Sequence, residues 1–188
     1  MRAFLRSISC CPTDTLTVGA TTSVELQADS IATAINAATV NVDIQGSRLL
    51  PSLKNDTFAV AAETGGAPLT QVVTAAAQRS PLDVRLLSNV FGAGRSDHAT
   101  FTAKQIPTVF LTDSGAGCYH SAQDGVEIVD WGKLERQRKM LLDIVGQLTN
   151  MAVAPTFVPN TPQATFDDVR AFKRVVDRSR VDIGIHSP

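Results

Sequence analysis

The sequence predicts an α/β fold in which a sheet lies between layers of helices. Three observations carry that expectation. Short runs rich in Val, Thr and Phe alternate with helical patterns along the chain. Several apolar runs are followed by loops rich in Gly, Ser and Asp. The chain has 188 residues, 44% of them apolar, which is enough to bury one core. A net charge of −1 with no basic stripe argues against nucleic acid as a partner. No apolar run approaches the ~20 residues needed to cross a bilayer, so no membrane span is expected.

The elements follow in order. DTLTVGATTSVEL alternates Thr and Val and reads as strand or extended loop, and ADSIATAINA reads as a short helix capped by Asp29 or Ser30. TVNVDIQG is a strand with Val40, Val42 and Ile44 on one face and Asp43 on the other. TFAVAAE is an apolar strand ended by the Gly65-Gly66 turn. APLTQVVTAAAQRS is a helix with Pro68 in its first turn and Leu69, Val72, Val73 and Ala76 on its buried stripe. VRLLSNV is a strand and GAGRSDH a loop; ATFTAKQ is a short helix with Asp97 placed to cap it. IPTVFLT is a buried strand, and DSGAGCYHSAQDG a long loop. WGKLERQRKMLLDIVGQLTNM is the strongest helix, with Leu134, Met140, Leu141, Ile144, Val145 and Leu148 along one side. Residues 151–164 contain three prolines and form a linker. TFDDVRAFKRVVDRS is a helix with Thr165 as N-cap and Asp167 and Asp168 in its first turn. The domains are then an N-terminal extension over 1–37, the α/β unit over 38–150, and a linker with its C-terminal helix over 151–188.

Three cysteines, Cys10, Cys11 and Cys118, do not make a disulfide framework and read as free thiols, with a bridge from Cys118 left open. The N-terminus MRAFLRSISCC carries Arg2 and Arg6 and no acid before Asp14. Its apolar run is short and interrupted for a signal-peptide core, and a strand or frayed end is the alternative.

Two of the three histidines fall in one window, His98 in SDH and His120 in YHSAQD. Both loops follow apolar strands, and in an open α/β sheet ligands bind at the carboxyl ends of strands. Asp43, Asp97, His98 and His120 could therefore converge at one end of the sheet. Carboxylate and imidazole suit zinc. Asp124, four residues after His120, could accept from its second ring nitrogen. The Tyr119 phenol could donate to a developing oxyanion. Each residue also has a plainer reading: Asp43 as an edge carboxylate in water, Asp97 as a helix cap, His98 as a helix-start residue, His120 as an ordinary loop histidine. His186 sits in the C-terminal tail.

At these residues the chain resembles the C-terminal half of the two-metal zinc aminopeptidase family, which also includes glutaminyl cyclases and the transferrin receptor ectodomain. The resemblance runs from about Ala38 to Asn150 and rests on NVDIQG, SDHATF, QIPTVFL, YHSAQD and IVDWGKLERQ, in that order and with natural spacing. It implies a zinc-exopeptidase-like sheet, with Asp43 a ligand of one zinc and His120 of the other. Tyr119 would stabilise the tetrahedral intermediate. Asp97 and His98 would support the site wall, and Asp124 would orient the His120 loop. Many relatives are secreted or periplasmic.

The departures from that pattern are equally specific. The family's H-x-D, whose aspartate bridges the metals, is missing: the histidine contexts here are HAT, HSA and HSP. The family's adjacent acidic pair, usually E-E, general base and ligand, has no glutamate counterpart here: Glu25, Glu63, Glu127 and Glu135 are all isolated. The stretch before Asp43 is too short for the family's first strands. The fold is thus expected to be truncated on its N-terminal side, with zinc bound weakly or not at all. Two functions follow. One is a zinc-dependent exopeptidase, hydrolysing N-terminal peptide bonds of a peptide substrate and represented here by half its site. The other is a non-catalytic α/β interaction module that has lost its metals. An acyl-transferring relative of the glutaminyl cyclase kind would need the same missing acids. A sheet lacking its first strands should present an unpaired edge, which invites self-association.

Overall fold

The computed structural model of the chain describes residues 38–160 and 164–184. DTLTVGATTSVEL, ADSIATAINA, Cys10, Cys11, Pro162 and His186 lie outside those residues. Four strands, β1 (Thr39–Val42), β2 (Asp56–Val60), β3 (Asp83–Leu87) and β4 (Thr108–Thr112), form a sheet in the order β1-β4-β2-β3. β4 runs parallel to β1, with Val42 opposite Leu111, and antiparallel to β2; β2 runs parallel to β3. This topology positions the site. β1 and β4 end side by side, so the loops leaving them start at the same end of the sheet, where antiparallel β2 begins.

The period-2 geometry of strands divides the core in two. Ala59 of β2 and Val109 and Leu111 of β4 face one side. Phe58, Val60 and Phe110 face the other. Both central strands are buried along their whole length because both faces are covered. On the first face lie α1 (Gly66–Arg79) and α3 (Trp131–Thr149). The buried stripe of α1 is Leu69, Val72, Val73 and Ala76, as its spacing predicts. On the second face lie α2 (His98–Ala103) and α4 (Phe166–Ser179). Thr165 caps α4 in a reciprocal capping box with Asp168, again as the sequence predicts.

α4 is held to the sheet chiefly by polar contacts. The Ser88 N–H and hydroxyl donate to the Asp168 carboxylate at 2.8 and 2.7 Å. Arg178 pairs with Asp56 at 3.1 Å and with Asp83. Ala171 and Val175 give α4 its apolar contact, while Phe166, Val169 and Val176 face solvent. Phe172 meets Phe91 edge-on at 4.7 Å beside a cavity of about 470 Å³ over the second face.

Three expectations need correction. β1 ends at Val42, and Ile44 does not continue its face: the chain turns there with φ 56°. Asp97 stands at the N-cap of α2 but its side chain caps nothing. Its backbone is already helical (φ −59°, ψ −22°), whereas a capping side chain is normally carried on extended backbone. The hidden stripe of α3 is Lys133, Gln137, Met140, Ile144 and Leu148; Leu134, Leu141 and Val145 flank it, half-buried. Met140, Ile144 and Leu148 are buried as their spacing predicts, but Leu134 gives way to Lys133, because polar groups rather than apolar side chains face the first turns of α3.

Candidate functional site

Asp43 leaves β1 as one more rung of the ladder, its N–H donating to the Leu111 carbonyl at 3.2 Å. The chain then turns through Ile44 and Gly46, both at positive φ. At Gly46 a side chain is also barred by space, since a Cβ would stand 3.0 Å from Val129. β4 ends into Asp113, whose N–H donates to the Ile44 carbonyl at 2.8 Å. The loop that follows carries Cys118, which is buried, and then Tyr119 and His120, both exposed. The Tyr119 and His120 rings lie 3.9 Å apart between centroids. Asp43, Tyr119 and Asp124 line one cavity of about 250 Å³ between the two loops.

The other predicted residues fall elsewhere. His98 is fully buried and stacked on Phe110, ring centroids 4.4 Å apart. Gly92 packs against its Nε2 side, yet neither ring nitrogen has a hydrogen-bond partner of good geometry. Burial pushes this imidazole below its ordinary pKa, against the opposing pull of the Gly92 backbone and the Asp43 and Asp97 charges. His98 is therefore packed into the core rather than presented to the cavity between the loops. Ser96, two residues earlier, ties the same loop to β1 by accepting from the Asn41 amide at 2.8 Å. The Asp124 N–H donates to the Ser121 carbonyl at 3.1 Å, and no hydrogen bond joins its side chain to His120 among the described residues.

Sequence reading missed the polar cluster beneath the two loops, formed by Asp113, Lys133 and Gln137, each almost wholly buried. The signal was present. Lys133 and Gln137 continue the phase of Met140, Ile144 and Leu148, so they lie on the inward face of α3. A cation and an amide on that face need polar partners, which the two loops and the start of β2 supply.

The donor set does not make a metal site by itself. Among the described residues no three His, Cys, Asp or Glu side chains are grouped to hold an ion. Catalytic zinc takes about three protein ligands and a water.

A model of peptidase family M28 matches residues 14–145, well over half of the chain. The chain belongs to peptidase family M28. Among solved structures, this M28 chain is similar to the LapA aminopeptidase of Legionella pneumophila, with a TM-score of 0.51 and 17% identity over 61% of this chain and 31% of that one. It is also similar to an aminopeptidase from Aneurinibacillus sp. strain AM-1, with a TM-score of 0.45 and 23% identity over 67% of this chain and 28% of that one. The likeness to LapA shows a shared fold, and this chain spans about a third of LapA's length. No curated protein matches it. Family membership supports a peptidase-like function.

Proposed function

We propose that this M28 chain contributes Asp43, Tyr119 and His120 to an aminopeptidase site of the zinc-exopeptidase kind. That site hydrolyses N-terminal peptide bonds, and its remaining metal ligands come from outside the described residues. One observation carries the reading: parallel pairing of β1 and β4 puts Asp43 and the Tyr119–His120 loop around a shared cavity at one end of the sheet. In this reading the exposed Tyr119 phenol donates a hydrogen bond to the carbonyl oxygen as negative charge develops on it. Asp43 and His120 each offer one donor to a different ion. Asp124 faces the same cavity, and His98 and Asp97 form the wall behind Asp43. Because the donors present are too few, no step is assigned to a metal.

The test is a zinc titration of the isotopically labelled full chain, read amide by amide. The reading predicts weak binding with shifts centred on Asp43 and on Tyr119 to Asp124. His120→Ala should remove the second set and Asp43→Ala the first. Shifts confined to other regions, or none at millimolar zinc, would sink it.

A second reading, a non-catalytic interaction module, draws on α4. Phe166 is 83% exposed and Val169 62%, while Phe172 and Val175 of the same helix line the partly open cavity over the second face. In that reading the outer edge of β1 pairs with a further strand, including one from a second copy of the chain. Sedimentation tests it: a monomer at all accessible concentrations counts against self-association.

A further inference from the structure

The two site loops both contain unusual backbone. Ile44 (φ 56°) and Gly46 (φ 69°) lie in one, Ser114 (φ 71°) and Gly115 (φ 144°) in the other. A β-branched residue in the left-handed region is a genuine outlier. Such conformations persist where the surroundings over-determine them. The surroundings here are organised by a buried cation.

Lys133 sits in the first turn of α3, where the Asp130 carboxylate caps its N–H at 2.7 Å. Its side chain is fully buried. The ammonium donates to the Ser47 carbonyl at 2.6 Å and the Asp56 carbonyl at 2.7 Å, and pairs with Asp113 Oδ1 at 2.9 Å. Its three protons thus meet three oxygens. Asp113 Oδ2 accepts from the Ser47 N–H at 2.9 Å, and Asp113 Oδ1 accepts from Gln137 at 2.7 Å. Gln137 Oε1 accepts from the Gly46 N–H at 2.8 Å. The network therefore grips both loops from below. It also continues upward: the Ser47 hydroxyl donates to the Gly115 carbonyl at 3.3 Å, and the Tyr119 ring rests over Gly115.

We propose that Lys133 is the positioning residue of this site, its buried ammonium locking the loop after Asp43 against the loop that presents Tyr119 and His120. Gln137 completes the lock at Gly46. A buried ion pair is often no more stabilising than apolar side chains of equal volume. What this one supplies is a fixed register between the two loops beyond Ile44 and Asp113, where the backbone pairing between them ends. The catalytic consequence rests on the proposed function; the locking does not.

Tyr119 is the only tyrosine in the chain, so 3-fluorotyrosine labelling gives a single fluorine resonance at the site. Two variants are compared with the parent. Lys133→Met with Asp113→Asn removes both charges at similar volume. Gln137→Met keeps the ion pair and removes the tie to Gly46. In each folded variant the fluorine resonance should shift or broaden. Amide exchange at Gly46 and Ser47 should rise by roughly tenfold or more while Val72, Val73 and Ala76 of α1 stay within about twofold. If the double variant does not fold, Lys133→Gln, which removes the charge and keeps a donor, carries the test with the same readouts, because Gln137→Met reports on the Gly46 tie only. An unmoved resonance with unchanged loop exchange overturns the proposal. So does a uniform rise across α1 and the loops, which would mean a role in global stability alone. Neither readout uses peptidase activity, so failure of the aminopeptidase reading leaves this test intact.

Discussion

The two halves of α3 are hidden equally well and do different work. The C-terminal half buries Met140, Ile144 and Leu148 in the apolar cluster against α1 and the sheet. The N-terminal half buries Lys133 and Gln137 among the Ser47 carbonyl and Gly46 amide of one loop, Asp113 of the other, and the Asp56 carbonyl at the start of β2. The helical phase is continuous; what changes is the surface opposite. A sheet face offers side chains, because its backbone groups are already paired. Loops at the sheet's end offer unpaired backbone groups that need partners. Apolar burial therefore builds the fold, and polar burial shapes the site.

The sharpest way to break this contrast is to remove one charge. Lys133→Met leaves Asp113 buried without its cation and should cost about 3–5 kcal/mol, read as a fall in the urea midpoint. Adding Asp113→Asn should restore most of that loss. Ile144→Ala should cost about 2–5 kcal/mol through the cavity it leaves, and Asp113→Asn should restore none of it. Equal rescue of both variants, or of neither, would erase the distinction between the two halves.

α4 gives a third kind of attachment, polar pinning with little apolar burial. Thr165→Ala removes half of its capping box and should cost about 1 kcal/mol. Amide exchange should rise mainly in the first turn of α4 and at Ser88, where Asp168 accepts two hydrogen bonds. His98 gives the smallest effect, as a buried polar group outside any network. Its folded pKa is lowered from 6.5, so the unfolded chain takes up a proton more readily. Stability from this group is fully present above about pH 6.5 and is lost as pH falls from there through the lowered value, by at most about 1.4 kcal/mol per pH unit. His98→Phe, if folded, should flatten that part of the stability profile. An unchanged profile would mean His98 does not govern it.

Local pattern made much of the fold legible. The α1 stripe and the Thr165 cap depend on spacing within a few residues, and both appear where the sequence puts them. The Ile44 turn did not show, because a β-branched residue is the last choice for a positive φ. Lys133 and Gln137 did not show because polar residues are ordinarily assigned to the solvent face, and their partners lie 77 to 91 residues away in sequence or, for Asp113, on another element. The meeting of Asp43 with the Tyr119 loop required knowing that β1 and β4 are neighbours, a pairing across 65 residues that periodicity cannot supply. The rule that open α/β sheets gather their loops at the carboxyl ends of strands suggested it, and sheet order accounts for it.

In the proposed aminopeptidase site the described residues supply too few metal donors to complete it. The most direct measurement is zinc content after dialysis, together with hydrolysis of an amino-acid p-nitroanilide by the purified full chain in added zinc. Substoichiometric zinc and no hydrolysis above background are expected, since the sequence holds neither an H-x-D nor an E-E motif and the bridging carboxylate and general base these would supply are each worth on the order of 10²-fold or more. Stoichiometric, tightly held zinc with turnover abolished by His120→Ala would contradict that expectation, and would show that the chain completes its own catalytic site.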